Sequence, residues 1–213
     1  MTGRRTVALI MTGTLFLAGN SCATGAPDDR ADSPQRAPAA TSTTTPGRVP
    51  LARRASSALV AEPPVLTILP TGRQVPVRAV GTTATGLLDV PADVNRAGWW
   101  RGGSRLGDPF GSTLVAAHVD SRTQGLGPFA ELLTVTRGAH IHLASKHLAQ
   151  VFEVRTRRMV PQGSLARETW LFDVAGERRL TLVTCAPPYD ATRGGYQNLA
   201  VITATPVGPA EAR

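Results

Sequence analysis

The sequence predicts a domain built mainly of short β-strands, closed as a barrel or stacked as a sandwich. Short apolar or alternating segments recur along the chain, and Gly, Pro or Asp residues separate them, which is typical of strands joined by tight turns. The segments are residues 65–69, 75–80, 87–90, 113–117, 140–143, 151–154, 180–184 and 199–203. Seven or eight such strands with few helices in about 145 residues favour an all-β barrel or sandwich over an α/β fold.

Few stretches favour other local structure. Residues 129–135 place Phe129, Leu132 and Leu133 on one face, so they predict a short helix. Residues 163–169 predict a helical turn capped by Ser164. The glycine-rich stretch 99–111 predicts a loop. The expected barrel therefore has short helices only in its connections.

Composition excludes several classes of protein. The chain has 213 residues and 42% apolar residues, enough for one domain with tails. The net charge of +8 is spread along the chain without a dense basic run, which argues against nucleic acid as a partner. Two cysteines do not make a disulfide scaffold or a zinc finger. His140, His142 and His147 have no acidic or thiol ligands at suitable spacing, so we expect no metal.

The N-terminal residues 1–22 resemble an export signal. Arg4 and Arg5 precede an uncharged apolar run of the length that secretory signals use. Cys22 stands where a lipoprotein signal places its lipidated cysteine, and an uncleaved membrane anchor explains the same pattern. We expect the chain on the extracellular face of the cell membrane or in the cell wall, anchored by its N-terminus or by lipidated Cys22.

Residues 23–64 predict a disordered linker. They hold seven of the 17 prolines and show no apolar periodicity. Such a segment buries too little surface to offset the entropy of ordering it, and it acts as an extended spacer. The folded domain is then expected at 65–207, with a tail at 208–213.

Three residues are candidates for chemistry. Cys185 follows an apolar strand and opens a loop, and an exported cysteine without a partner suggests a nucleophile as well as a buried apolar side chain. His118 also ends a strand, so the two groups could form a base–nucleophile pair if the strand ends are neighbours. Arg193 lies in the loop after Cys185, where a guanidinium could stabilise an oxyanion.

Two motifs resemble those of a known family. Residues 181–185 read Thr-Leu-Val-Thr-Cys, similar to the TLxTC motif of sortases, the cysteine transpeptidases of Gram-positive cell surfaces. Residues 117–121, Ala-His-Val-Asp-Ser, resemble the histidine motif of class F sortases from actinobacteria. Residues 88–91, 98–100 and 127–129 also match that class, so the resemblance covers about residues 65–205.

The resemblance implies a closed eight-stranded barrel with a Cys-His-Arg site made of Cys185, His118 and Arg193. It implies cleavage of an LPXTG-like sorting signal between Thr and Gly through a Cys185 thioester, which an amine of a cell-wall precursor then resolves. No cofactor or metal is needed for such acyl transfer. The expected supporting or substrate-binding residues around the site are Asp120, Ser121, Thr184, Tyr189 and Gln197.

The chain departs from class F where an arginine is common near the start of the last strand. Residues 196–198 read Tyr-Gln-Asn there, so we expect Arg193 to fill that role from the loop. Ala117 replaces a common glycine before the histidine, and residues 186–188, Ala-Pro-Pro, replace a common Gly-Gly after the cysteine. Two other functions stay open: an inactive peptide-binding barrel, which Gln197 favours, and a cysteine hydrolase that uses water as acceptor.

Overall fold

The computed structural model describes residues 59–84 and 87–213. The predicted export signal 1–22, with Cys22, and most of the predicted linker 23–64 lie outside the described residues. No helix in the described part of the chain is both long and apolar enough to cross a membrane.

The described residues form eleven β-strands. They are β1 (Leu66–Ile68), β2 (Gln74–Val80), β3 (Ala97–Trp100), β4 (Ser112–Ala116), β5 (Asp120–Ser121), β6 (Gly125–Leu126), β7 (His140–Ala144), β8 (Leu148–Pro161), β9 (Arg179–Asp190), β10 (Gly195–Pro206) and β11 (Glu211–Ala212). Eight of them pair in the ring β1-β2-β3-β4-β9-β10-β8-β7, which closes because β7 also pairs with β1. The predicted closed eight-stranded barrel is thus confirmed.

The remaining strands lie outside that ring. β5 and β6 form a separate two-stranded hairpin, and β11 adds to β8 by pairing Glu211 with Ala149. Within the ring, β2–β3 and β4–β9 are parallel and the other pairs are antiparallel. The hairpin is therefore held by its loops and side chains and not by the barrel's backbone ladder.

Helical structure in the described residues consists of short 3₁₀ helices in the connections. They are Pro128–Leu133, Gln162–Arg167, Thr169–Phe172 and Ala191–Arg193. The first begins with Pro128, whose missing N–H costs nothing at a helix start. The second begins at Gln162, so Ser164 is not its cap, and the Ser164 hydroxyl instead donates to the Pro161 carbonyl at 2.8 Å.

Two local predictions were wrong. The segment 87–90 is not a strand and makes a single bridge between Thr82 and Leu88. The loop predicted at 99–111 overlaps the last two residues of β3. The first three residues of this strand, Ala97, Gly98 and Trp99, are all buried. A strand that is buried on both faces has no polar–apolar alternation, so its pattern does not predict a strand.

The barrel interior is an apolar core. Residues along the first half of β8 alternate between buried and half-buried, so Phe152 and its even-numbered neighbours point inward. Phe129 and Leu132, from the helix Pro128–Leu133, are fully buried in the same core. Burying each such large apolar side chain stabilises the fold by roughly 1.5–3 kcal/mol.

A second apolar cluster lies on the opposite face of β9 and β10. Leu182 belongs to the interior, whereas Val183 and Cys185 pack against a cluster that contains Leu171 and Leu199. Successive side chains of a strand point to opposite faces, so the sequence parity of β9 directs Cys185 away from the barrel interior. The helix Thr169–Phe172 covers this outer cluster.

One carboxylate ties the start of the described chain to the barrel. The Ser145 hydroxyl donates to Glu62 Oε2 at 2.6 Å, the His147 backbone N–H donates to the same oxygen at 3.0 Å, and His147 Nδ1 lies 2.7 Å from Oε1. Glu62 also exchanges backbone hydrogen bonds with Leu106. The hydrogen bonds from Ser145 and His147 lower the pKa of Glu62 to about 2.

We predict that Glu62→Gln lowers the melting temperature at pH 7 and that the deficit disappears as the pH falls. A carboxyl whose pKa is lowered by folding stabilises the native state above its unfolded pKa, about 4.5, and loses that effect as the pH approaches 2. Melting curves between pH 7 and pH 2 measure this, with Glu211→Gln on the exposed β11 as the control. A deficit that is the same at every pH contradicts the assignment.

Candidate functional site

The site begins with the parallel pairing of β4 and β9. Their register runs from Ser112 opposite Arg179 to Ala116 opposite Val183. Beyond that ladder the Ala117 N–H donates to the Val183 carbonyl at 3.2 Å, and the Thr184 hydroxyl donates to the Ala117 carbonyl at 2.9 Å. Continued by two residues, the same offset sets His118, just after β4, level with Cys185. The prediction that Cys185 ends its strand and opens a loop was wrong, because β9 continues to Asp190 and Cys185 pairs with Leu199 of β10.

His118 and Cys185 line one cavity of about 650 Å³. Most of its other walls are apolar and come from the segment 87–90, from β4 and from the outer cluster. They include Leu88, Val90, Leu114, Leu171, Phe172 and Leu199. The cavity thus combines an apolar trough with a thiol and an imidazole at its wall, which suits a substrate with apolar side chains next to a reacting carbonyl.

Cys185 is half-buried, and its surroundings favour the neutral thiol. Burial among apolar neighbours raises the pKa of the Cys185 thiol, and the negative charge of Asp120 raises it further. A raised pKa lowers the fraction of thiolate at neutral pH, so Cys185 is a protonated thiol in the free protein. His118 lines the same cavity, and its imidazole is the kind of group that can take a proton from a thiol.

Asp120 lies in the first strand of the hairpin after His118. Its Oδ2 accepts a hydrogen bond of 2.7 Å from the Tyr196 hydroxyl, 76 residues away on β10. The Tyr196 ring packs edge-on against Tyr189, with ring centroids 5.1 Å apart. The hydrogen bond to Asp120 and burial raise the pKa of Tyr196 to about 12, so this phenol stays a donor at physiological pH.

Arg193 lies in a neighbouring cavity of about 600 Å³. It is exposed at the end of the helix Ala191–Arg193, which Asp190 caps through the Thr192 N–H at 2.9 Å. Gln197 lines the same cavity, and its Nε2 donates to the Gly195 carbonyl at 2.6 Å. Gln162 and Gly163 line both cavities.

The hairpin that carries Arg193 has an irregular register. Tyr196 lies opposite Tyr189 and Asn198 opposite Ala186, so Pro187 and Pro188 stand against the single residue Gln197. Proline has no N–H to donate to a ladder. The Pro187 carbonyl accepts a hydrogen bond of 2.7 Å from the Asn198 side chain.

Comparison with known proteins identifies the family. Residues 66–207 match the family described as Sortase domain. The chain belongs to the sortase family. No curated protein matches the sequence.

Solved sortase structures share this sortase's fold. Sortase A from Listeria monocytogenes is 18% identical, with a TM-score of 0.52 over 72% of this chain and 92% of that one. Sortase E1 from Streptomyces coelicolor, solved with a tripeptide in its active site, is 15% identical, with a TM-score of 0.53 over 72% and 91%. Sortase C from Streptococcus pneumoniae is 19% identical, with a TM-score of 0.52 over 72% and 73%. At these identities the likeness is one of fold.

The structure brings some of the predicted site residues of this sortase together. His118, Cys185 and Thr184 meet at one cavity, and Asp120 lies near enough for its charge to act on the thiol. Arg193 and Gln197 meet in the adjacent cavity.

Two other predicted supporting residues, Tyr189 and Ser121, line neither of these two cavities. Tyr189 is largely exposed and packs edge-on against the Tyr196 ring. The Ser121 hydroxyl lies 3.3 Å from that of Thr123 inside the hairpin. These positions make both residues part of the surroundings of the site.

The sequence analysis missed Gln162, Asn198 and Tyr196 as site residues. Gln162 is 23 residues from Cys185 in the chain and reaches the site only through the fold. Tyr196 reaches Asp120 through a hydrogen bond between residues 76 positions apart, which no local pattern indicates. Among the residues that the structure describes, no three His, Cys, Asp or Glu side chains converge to hold a metal ion.

We predict that Thr184→Val destabilises the fold by about 1–3 kcal/mol and changes the reactivity of Cys185. Valine keeps the shape of threonine but leaves the buried Ala117 carbonyl without its donor. Urea unfolding measures the stability, and alkylation of Cys185 by iodoacetamide measures the reactivity. Thr181→Val is the matched control, since it breaks a buried hydrogen bond to Ser112 of 2.8 Å on the same two strands. Equal changes in alkylation rate in both variants contradict a local role for Thr184.

Proposed function

We propose that this sortase is a class F cysteine transpeptidase that cleaves an LPXTG-like sorting signal between Thr and Gly. The observation that carries the proposal is that His118, just after β4, and Cys185, on the adjacent parallel strand β9, line the wall of one apolar cavity. Residues 117–121, which resemble the histidine motif of class F sortases, support the class, and the TLxTC-like residues 181–185 support a sortase nucleophile at Cys185.

The cavity supports the choice of substrate. Its apolar walls, among them Leu88, Val90 and Leu114, suit the Leu and Pro side chains of such a signal. A peptide held along this trough presents its backbone to Cys185 at the polar part of the wall. The apolar segment 87–90, which is not a strand, supplies one side of the trough.

The reaction requires two acyl transfers. His118 accepts the Cys185 proton, and the thiolate sulfur attacks the Thr carbonyl carbon. The tetrahedral intermediate expels the Gly amine, which takes the proton from His118, and a thioester remains on Cys185. An amine of a cell-wall precursor then attacks the thioester and loses a proton to His118. The amide bond forms, and the Cys185 sulfur recovers a proton as the leaving group.

Arg193 is the proposed source of positive charge at the carbonyl oxygen. Gln197 stands where class F sequences often carry an arginine, and its amide is engaged with its own backbone at Gly195. Arg193 lies in the cavity that shares Gln162 and Gly163 with the Cys185 cavity. A guanidinium that moves toward the Cys185 cavity when substrate binds would stabilise the developing oxyanion.

The proposal extends to the location of the protein. Residues 1–22 act as the anchor, and the linker 23–64, which reaches the barrel at Glu62, acts as the spacer that carries the domain 65–207 at the outer cell surface. There the two partners are sorting signals of surface proteins and the amine of a cell-wall precursor.

A second candidate function is an inactive sortase-like barrel that binds peptides without turnover. Gln197 in the place of an arginine and the raised pKa of the Cys185 thiol favour it. The two candidates differ in one observable, which is whether bound peptide is cleaved.

We expect the protein to cleave an LPXTG-type peptide and to join the fragment to an added glycine- or diaminopimelate-containing peptide. Cys185→Ala should give no cleaved and no joined product, because alanine has no nucleophile. Mass spectrometry of the products, with and without the amine, makes the measurement. Cleavage with water as the only acceptor would establish a hydrolase. Binding without cleavage by the native protein would establish the inactive barrel.

We expect Arg193→Ala to lower kcat/KM for this peptide by about 10²-fold, the typical cost of losing one oxyanion donor. Arg137→Ala removes an exposed arginine from the turn before β7 and serves as the matched control. Gln197→Ala tests whether the residue at the usual arginine position contributes. A loss of less than about threefold in Arg193→Ala would make Arg193 a surface residue.

A further inference from the structure

A side-chain hydrogen bond joins the β5–β6 hairpin, which follows His118, to the β9–β10 hairpin, which contains Cys185. The β5–β6 hairpin begins two residues after His118, and Cys185 lies on β9, the first strand of the β9–β10 hairpin. The Tyr196 hydroxyl, on β10, donates to Asp120 Oδ2, on β5, at 2.7 Å. The motifs alone do not indicate this contact, since Tyr196 lies outside both of them.

The hairpin needs such a contact because it has no place in the barrel ladder. β5 pairs with β6 alone, through Asp120 with Leu126 and Ser121 with Gly125. On one side Gln124 ties it to the preceding loop, by accepting from the Val94 N–H at 3.0 Å and donating to the Ala92 carbonyl. On the other side Tyr196 ties it to β10.

The hydrogen bond from Tyr196 also fixes the position of the negatively charged Asp120 carboxylate. Asp120 is close enough for its charge to act on the Cys185 thiol, and it acts on Tyr196 as well. The other titratable groups around the thiol are His118 and Asp89, which line its cavity, and Tyr189, which packs on Tyr196. Of the carboxylates near the site, Asp120 is the one that a phenol holds in place.

We infer that Tyr196 and Asp120 are positioning residues for the Cys185–His118 pair: the Tyr196 hydroxyl holds the Asp120 carboxylate beside the thiol and fixes the loop after His118 against the β9–β10 hairpin. This inference rests on the proposed role of Cys185 as the nucleophile. Tyr196 acts on Asp120 through its hydroxyl, whereas its ring packs against Tyr189. Asp120 acts through its charge on the thiol.

The test compares Asp120→Asn, Tyr196→Phe and the double variant in the full chain. Iodoacetamide alkylation is followed from pH 6 to pH 10, and the adduct is quantified on the tryptic peptide 180–193, which contains Cys185 and excludes Cys22. Asp93→Asn is the control, because it removes a partly exposed carboxylate whose partner is Arg96. Circular dichroism and melting temperatures establish that each variant is folded.

We expect Asp120→Asn to shift the alkylation midpoint to lower pH and to raise the rate at pH 7 on the order of threefold to tenfold, since a nearby negative charge no longer opposes the thiolate. Tyr196→Phe releases the carboxylate and should shift the midpoint in the same direction by a smaller amount. In the Asp120→Asn background, Tyr196→Phe should add nothing, because the two residues act as one unit. Asp93→Asn should leave the midpoint unchanged.

Two results would overturn the inference. One is an unchanged midpoint in Asp120→Asn, or an equal shift in Asp93→Asn. The other is a Tyr196→Phe effect that persists in full when Asp120 is already asparagine. Alkylation needs no peptide turnover, so these results are independent of whether the proposed transpeptidation occurs. If peptide turnover by the native protein is observed while the alkylation profiles are all alike, the proposed function stands and the positioning role is wrong.

Discussion

The parallel pairing of β4 with β9 is the constraint on which the site depends. These two strands, far apart in sequence, run side by side up to the pair Ala116–Val183. Just beyond that pair, the Thr184 hydroxyl donates a hydrogen bond to the Ala117 carbonyl and joins the two strands. Because the strands are parallel, both reactive groups emerge at the same end of the barrel. A one-residue slip in this register would turn one of the two side chains to the opposite face.

In the unbound protein, the surroundings of Cys185 oppose the thiolate that the proposed function requires. Partial burial and the negative charge of Asp120 both favour the protonated Cys185 thiol. The exposed Arg193 guanidinium lies in the adjacent cavity. A nucleophile kept neutral until substrate arrives is protected from solvent electrophiles and oxidation, both of which act on the thiolate. In the proposed function, substrate binding therefore has to bring the base and the positive charge to bear on the thiol.

Much of the fold followed from the sequence because alternating strands show their buried face directly. The eight-stranded closure followed from the family resemblance, since pattern alone left barrel and sandwich equal. β3 escaped prediction because it is buried on both faces, and segment 87–90 was mistaken for a strand because its apolar residues line a cavity. The motifs predicted His118 and Cys185, whereas Gln162, Asn198 and Tyr196 reach the site through long-range pairing that no local pattern encodes.

The central claim is that Cys185 carries the acyl group during the reaction. The most direct measurement is acid quenching of the protein with an LPXTG-type peptide in the absence of amine, followed by mass spectrometry of the tryptic peptide 180–193. The account predicts this peptide with the N-terminal fragment of the substrate attached, and its loss on adding hydroxylamine, which cleaves thioesters. Cleaved substrate with peptide 180–193 unmodified at every time point would contradict it.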